Sequence, residues 1–203
     1  MTLTSEIERR TLPTEFEVRS AGDGKVVIEG YAYRFRARSQ NLGGFKETIL
    51  EGAGKEAIER DDVRALVNHD ANLILGRNRA GTLRLSEDSE GLAYEIDADE
   101  RQSYVRDLII SMERGDVSQS SFGFRALDED WSLDEDDFPL RAVRSLALFD
   151  VSPVTYPAYL TSESKVSTRA LAHAATLVPE KRALWIPDPP PLPNAVALHL
   201  LRG

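Results

Sequence analysis

Val26-Val27-Ile28-Glu29-Gly30-Tyr31-Ala32-Tyr33-Arg34-Phe35 is a run of β-branched and aromatic residues, and Tyr31, Tyr33 and Phe35 recur with the two-residue period of a strand. Upstream, Phe16 and Val18 lead into the turn Gly22-Asp23-Gly24, so residues 15–35 read as a β-hairpin. Working outward, Val63-Arg64-Ala65-Leu66-Val67 is compact and apolar enough for a buried strand. Thr82–Leu85 and Leu92–Ile96 form a second hairpin about a turn from Ser86 to Gly91. Further strands are expected over Val117–Arg125 and Ala142–Val151. Helices are fewer. Ala53–Arg60 has room for a short one. Ser103–Arg114 places Val105, Leu108, Ile109 and Met112 on one face and ends at Gly115, and Thr161 or Ser162 can cap a third that reaches about Ala174. Many short strands and few helices predict a mainly β fold, barrel or sandwich, dressed with two or three helices.

The 203 residues are enough for one domain, and the composition divides them. Residues 1–14 form an arm, 15–175 the folded domain and 176–203 a tail in which Pro187, Pro189, Pro190, Pro191 and Pro193 exclude helix and central strand. The net charge of −9 argues against whole-surface binding to nucleic acid or an anionic membrane. Seven of those charges lie in residues 128–137, which leaves −2 for the rest. An acid run of this density predicts a solvated, mobile loop over 127–139. The opening residues Glu6, Glu8, Arg9 and Arg10 do not suit a signal peptide or a membrane span.

Candidate chemistry is narrowed by what the chain lacks. With no cysteine there is no thiol nucleophile and no Cys-ligated zinc, and the phosphate-loop, zincin and nucleophile-elbow patterns are missing. Of three histidines, only His69 lies well inside the domain, at the end of the strand Leu66-Val67-Asn68-His69-Asp70. It suits either a sheet-edge hydrogen bond or imidazole chemistry; a metal site from His69, Asp70, Asp61 and Asp62 matches no common ligand pattern. The segment Gly115-Asp116-Val117-Ser118-Gln119-Ser120-Ser121-Phe122-Gly123-Phe124 puts three serines in strand-like sequence. Alternation sets Ser121 with Gln119 and Gly123, and Ser120 with Phe122 and Phe124. Asp150 interrupts the apolar run Leu146-Ala147-Leu148-Phe149-Asp150-Val151, where a lone carboxylate needs a donor or a loop. A serine becomes a nucleophile when a base takes its proton and a third group orients that base.

Together these segments carry a resemblance. Gly30–Phe35, Leu66–Asp70 with Leu75-Gly76-Arg77, Asp88–Leu92, Arg114–Phe124 and Asp150-Val151-Ser152-Pro153-Val154-Thr155-Tyr156-Pro157-Ala158-Tyr159 follow one another in the order and spacing of the prohead (procapsid maturation) proteases of tailed bacteriophages. The chain resembles the HK97-like type from about Phe16 to Arg169. The resemblance implies a β-barrel surrounded by helices, as in the related herpesvirus assembly proteases. It implies a serine endopeptidase without cofactor or metal, with His69 as base, Ser121 as nucleophile and Asp150 as the orienting carboxylate. Oxyanion donors would be backbone N–H groups near Ser121, with Arg77 and Arg144 as candidate helpers. The implied partners are the major capsid protein and its scaffolding segment, cut inside the assembling procapsid in the host cytoplasm. Self-processing after about Ser164 and self-association belong to the same expectation, without membrane or specific nucleic-acid binding. The rival readings are a catalytically inactive assembly factor of the same fold and a carbohydrate- or peptide-binding β-domain.

Overall fold

The computed structural model describes residues 7–156 together with Thr176. The helix expected over 161–174 and the proline-rich tail lie outside the described residues.

One sheet has the strand order β1 (Glu8–Pro13), β9 (Gln119–Leu133), β10 (Pro139–Val154), β5 (Arg64–Val67) and β6 (Asp70–Arg77). Its longest member, β10, is antiparallel to β9. On its other edge it takes two parallel strands end to end: β4 (Lys46–Ile49) along Leu140–Val143 and β5 along Asp150–Val151. The second sheet is antiparallel, in the order β2 (Glu17–Gly22), β3 (Lys25–Arg34), β8 (Gly91–Asp99) and β7 (Leu83–Glu87). These are the two hairpins expected from the alternation. The main apolar core includes Ile28, Ala32, Leu92, Ile96, Phe122, Phe124, Leu146, Leu148 and Val151, and Phe45 with Leu42 and Trp131 forms a small separate cluster. Among the described residues the strands lie in these two sheets and form no closed barrel, so the architecture is mainly β with few helices.

Helix α1 (Lys55–Arg60) is short, and α2 (Ser103–Glu113) matches the 3.6-residue pattern. Val105, Leu108, Ile109 and Met112 are its buried residues, each stabilising by about 1.5–3 kcal/mol. Beyond it Gly115 takes φ 78°, a left-handed conformation that lets the chain turn into β9.

The acidic stretch is not a free loop. Strands β9 and β10 continue through it, with only residues 134–138 between them. Strand pairing brings the acids to basic partners: Asp128 and Asp130 meet Arg144 at 2.9 and 3.0 Å, and Asp134 meets Lys46 at 2.7 Å. Glu129 accepts from Arg141, and Glu135 pairs with Arg38. A run that is strongly charged along the chain becomes locally compensated once its neighbours are in place.

Strand β1 was not legible in the sequence because its inward residues are charged. Glu8 and Arg10 join Glu47 and Arg141 in a buried ionic cluster: Arg141 Nη1 lies 2.7 Å from Glu8 and 2.8 Å from Glu47, and Arg10 Nε lies 2.8 Å from Glu47. Burial pushes the Glu8 carboxyl up, but Arg141 and Arg10 outweigh it and hold the group below the usual carboxylate range.

Candidate active site

The turn between β5 and β6 consists of Asn68 and His69, flanked by the pair Val67 and Asp70. Both central residues have positive φ, 51° and 58°, as a two-residue type I′ hairpin turn demands. Asn tolerates this region; a histidine there is uncommon, which marks the turn as one where backbone preference yields to the placement of a side chain. The turn is tied to the end of β10. The Asn68 N–H donates to the Pro153 carbonyl at 3.0 Å, the Thr155 N–H donates to Asn68 Oδ1 at 2.8 Å, and Asn68 Nδ2 donates to Thr155 Oγ1 at 3.1 Å.

The His69 ring then lies between two strands. Its Nδ1 is 2.5 Å from Asp150 Oδ1 and its Nε2 is 2.7 Å from Ser121 Oγ. An ionised carboxylate only accepts hydrogen bonds, so Nδ1 carries the proton and Nε2 offers its lone pair to the Ser121 hydroxyl. Asp150 Oδ1 accepts a further hydrogen bond from Ser152 Oγ at 2.8 Å. Ser121 and Ser152 are fully buried, whereas the side chains of His69 and Asp150 are each 10% exposed.

A bulge in β10 explains how a carboxylate fits an apolar strand. Leu146 and Leu148 oppose Ala126 and Phe124, facing the core. The register then shifts between Leu148 and Asp150, so that Asp150 opposes Gly123 and Val151 opposes the core residue Phe122. Without the extra residue Phe149, Asp150 would share the core face of Leu148. With it, Asp150 and Ser152 lie on the face of Gly123 and Ser121. Gly123 is required there, because a Cβ would come within 2.3 Å of Asp150 Oδ2.

Ser120 faces the other way. Its hydroxyl shares a 2.9 Å hydrogen bond with Tyr94 of β8, whose own hydroxyl is pushed above the usual tyrosine range by burial and stays protonated. The alternation expected for the serine segment therefore appears in space: one hydroxyl serves the core and its neighbour meets the imidazole. Such a hydroxyl–imidazole–carboxylate relay can move a proton from oxygen to nitrogen while a charge forms and is neutralised beside it.

The profile of the caudovirus prohead serine proteases matches residues 14–176, most of the chain. The chain belongs to this family. No curated protein and no solved structure matches it. As a prohead serine protease it is a serine-type endopeptidase, the enzyme class to which a buried Ser–His–Asp relay is suited.

Of the five candidate residues, the structure brings together His69, Ser121 and Asp150 and leaves the two arginines apart from them. Arg77 is bound by Asp62 at 2.6 and 2.7 Å and holds that carboxyl down at about 2; Arg144 is bound by Asp128 and Asp130. Neither arginine hydrogen-bonds to the three residues of the relay. Of the acids in the metal reading, Asp61 and Asp62 are likewise directed to Arg60 and Arg77, and Asp70 accepts from the Asn72 N–H and Nδ2 at 2.8 Å. Among the described residues no group of three acidic or histidine side chains gathers to hold a metal ion, and no helix is long and apolar enough to cross a membrane. Asn68 and Ser152 were missed as members of the site. Both lie inside the quoted segments, but their roles depend on a turn and a strand register that local pattern does not reveal.

Proposed function

We propose that this prohead serine protease cleaves the scaffolding segment of its phage's major capsid protein inside the assembling procapsid, with Ser121 as nucleophile, His69 as general base and Asp150 as the orienting carboxylate. The observation that carries the reading is the unbroken relay from Ser121 Oγ to His69 Nε2 at 2.7 Å and from His69 Nδ1 to Asp150 at 2.5 Å.

In this reading His69 takes the Ser121 proton as Oγ attacks the peptide carbonyl. The imidazolium that results is stabilised by ionised Asp150, then donates its proton to the leaving amine. Water, activated by the same imidazole, hydrolyses the acyl-enzyme. Self-cleavage follows the same chemistry, and the segment after about Ser164 is its expected target. Coexpression with the capsid precursor tests the substrate: the precursor should be shortened at a single new N-terminus by the wild-type chain and not by Ser121→Ala. A precursor left intact by a chain that still reacts with a fluorophosphonate would exclude this substrate. Failure of the fluorophosphonate to label Ser121 at all would favour the inactive assembly factor.

Asn68 is assigned the positioning of the base. Asn68→Ala removes both side-chain ties to Thr155 and leaves alanine in a left-handed turn. We expect kcat to fall about ten- to a hundredfold with KM little changed, because a displaced base costs orientation rather than binding. Asn68→Asp keeps an acceptor for the Thr155 N–H and should lose less. Steady-state kinetics checks both; a wild-type kcat for Asn68→Ala would remove the positioning role.

A further inference from the structure

Ser121 is fully buried, yet a peptide carbonyl must reach its Oγ. His69 and Asp150 hold the β10 side of the hydroxyl, and on the other side of Ser121 lies the second edge of β9. That edge is already paired. Strand β1 runs antiparallel along Gln119–Phe124 with Thr11 opposite Ser121 and Arg9 opposite Gly123, and Ile7 packs near Gly123. Neighbouring strands lie about 4.8 Å apart, so β1 occupies the position that an extended peptide would take if it paired with β9 beside Ser121.

We propose that the edge of β9 at Gln119–Phe124 is the strand-addition site for the substrate, an extended peptide, and that β1 is its intramolecular occupant, displaced before cleavage. The inference rests on the peptidase reading above.

The way β1 is held suits an exchangeable strand. Its inward side chains are Glu8, Arg10 and Leu12, so its hold is main-chain pairing plus the ionic cluster rather than a row of large apolar residues. Buried ion pairs fix register while adding little net stability relative to apolar packing, because desolvation offsets their attraction. Release also leaves no orphaned charge on the domain side: Arg141 keeps Glu47 at 2.8 Å and Glu129 at 2.6 Å. An incoming peptide regains the main-chain hydrogen bonds that β1 gives up, which is how strand addition obtains its affinity.

The absence of native cysteine allows a direct test. The antiparallel register that pairs Glu8 with Phe124 sets Ile7, at the free end of β1, opposite Arg125, so the double variant Ile7→Cys/Arg125→Cys can be locked by a disulfide and released by reductant. The rate of Ser121 labelling by a fluorophosphonate is compared between the two redox forms of this variant. We expect the oxidised form to label about tenfold or more slowly than the reduced form, since the lock removes the open population. Deletion of residues 1–13, with fold checked by circular dichroism, should speed labelling. Equal rates in the locked and reduced forms, or slower labelling of a folded deletion variant, would overturn the occupancy of the edge by β1 while leaving the peptidase reading in place. No labelling in any folded form would instead remove the peptidase reading, and this inference with it.

Discussion

Ser121→Ala is expected to lower kcat/KM by roughly four to six orders of magnitude with the fold retained, whereas Ser120→Ala should keep the chemistry and lose stability. The contrast follows from the two faces of β9. Ser121 Oγ is the atom that His69 Nε2 meets at 2.7 Å, and no neighbouring hydroxyl can take its place without moving the strand by one residue, which would turn the Phe122 and Phe124 side chains out of the core. Ser120 Oγ instead pairs with Tyr94 in the buried layer between the sheets. Its loss strands a buried phenol and costs about 1–3 kcal/mol, visible as a lower unfolding midpoint. Parallel measurement of peptide hydrolysis and thermal unfolding separates the two variants. Retained hydrolysis by Ser121→Ala, with an inactive Ser120→Ala, would show that the wrong hydroxyl had been assigned.

Much of this division was legible before any coordinates, because strand alternation alone sets Ser120 with the phenylalanines and Ser121 with Gly123. The hairpins about Gly22-Asp23-Gly24 and Ser86–Gly91, and the apolar face of α2, were legible for the same reason: each is a local period punctuated by turn residues. What escaped reading is non-local. Strand β1 carries Glu8 and Arg10 inward, a pattern that looks solvent-exposed until Glu47 and Arg141 come from distant strands to pair with them. The acids of 128–137 look like a solvated loop until Arg144, Lys46 and Arg38 arrive across the sheet. Strand β6 begins directly after His69, and its polar start, Asp70-Ala71-Asn72, hides it from a hydrophobicity reading. The bulge at Phe149 could not be read at all, since only the pairing of β10 with β9 shows that the phase changes there.

That bulge determines the second large effect. Asp150→Ala is expected to lower kcat about 10⁴-fold with a much smaller change in KM, because the carboxylate acts on the base and not on the substrate. In the wild-type chain Asp150 Oδ1 fixes the Nδ1–H tautomer of His69 and faces the imidazolium as it forms. Alanine abolishes both contributions, and Ser152, whose hydroxyl lies 3.4 Å from His69 Nδ1, becomes the nearest group on that side of the ring. A neutral hydroxyl can hold a proton in place but offers no charge against the imidazolium. Asp150→Asn separates shape from charge. It keeps the size of the side chain, but the amide carries no charge and its NH2 can donate to His69 Nδ1, which holds the imidazole in the other tautomer with a proton, not a lone pair, facing Ser121. The asparagine variant should therefore also fall about 10⁴-fold in kcat although the geometry is kept, and its agreement with alanine would show that the carboxylate charge, not the bulk of the side chain, serves the base. Neither substitution should unfold the chain, since each removes a nearly buried carboxylate whose desolvation is unfavourable. Single-turnover acylation rates of the three proteins, taken at the same pH with unfolding midpoints alongside, decide the matter. An alanine variant within tenfold of wild type would mean that Asp150 is a structural acid at a bulge, and that His69 works without an orienting partner.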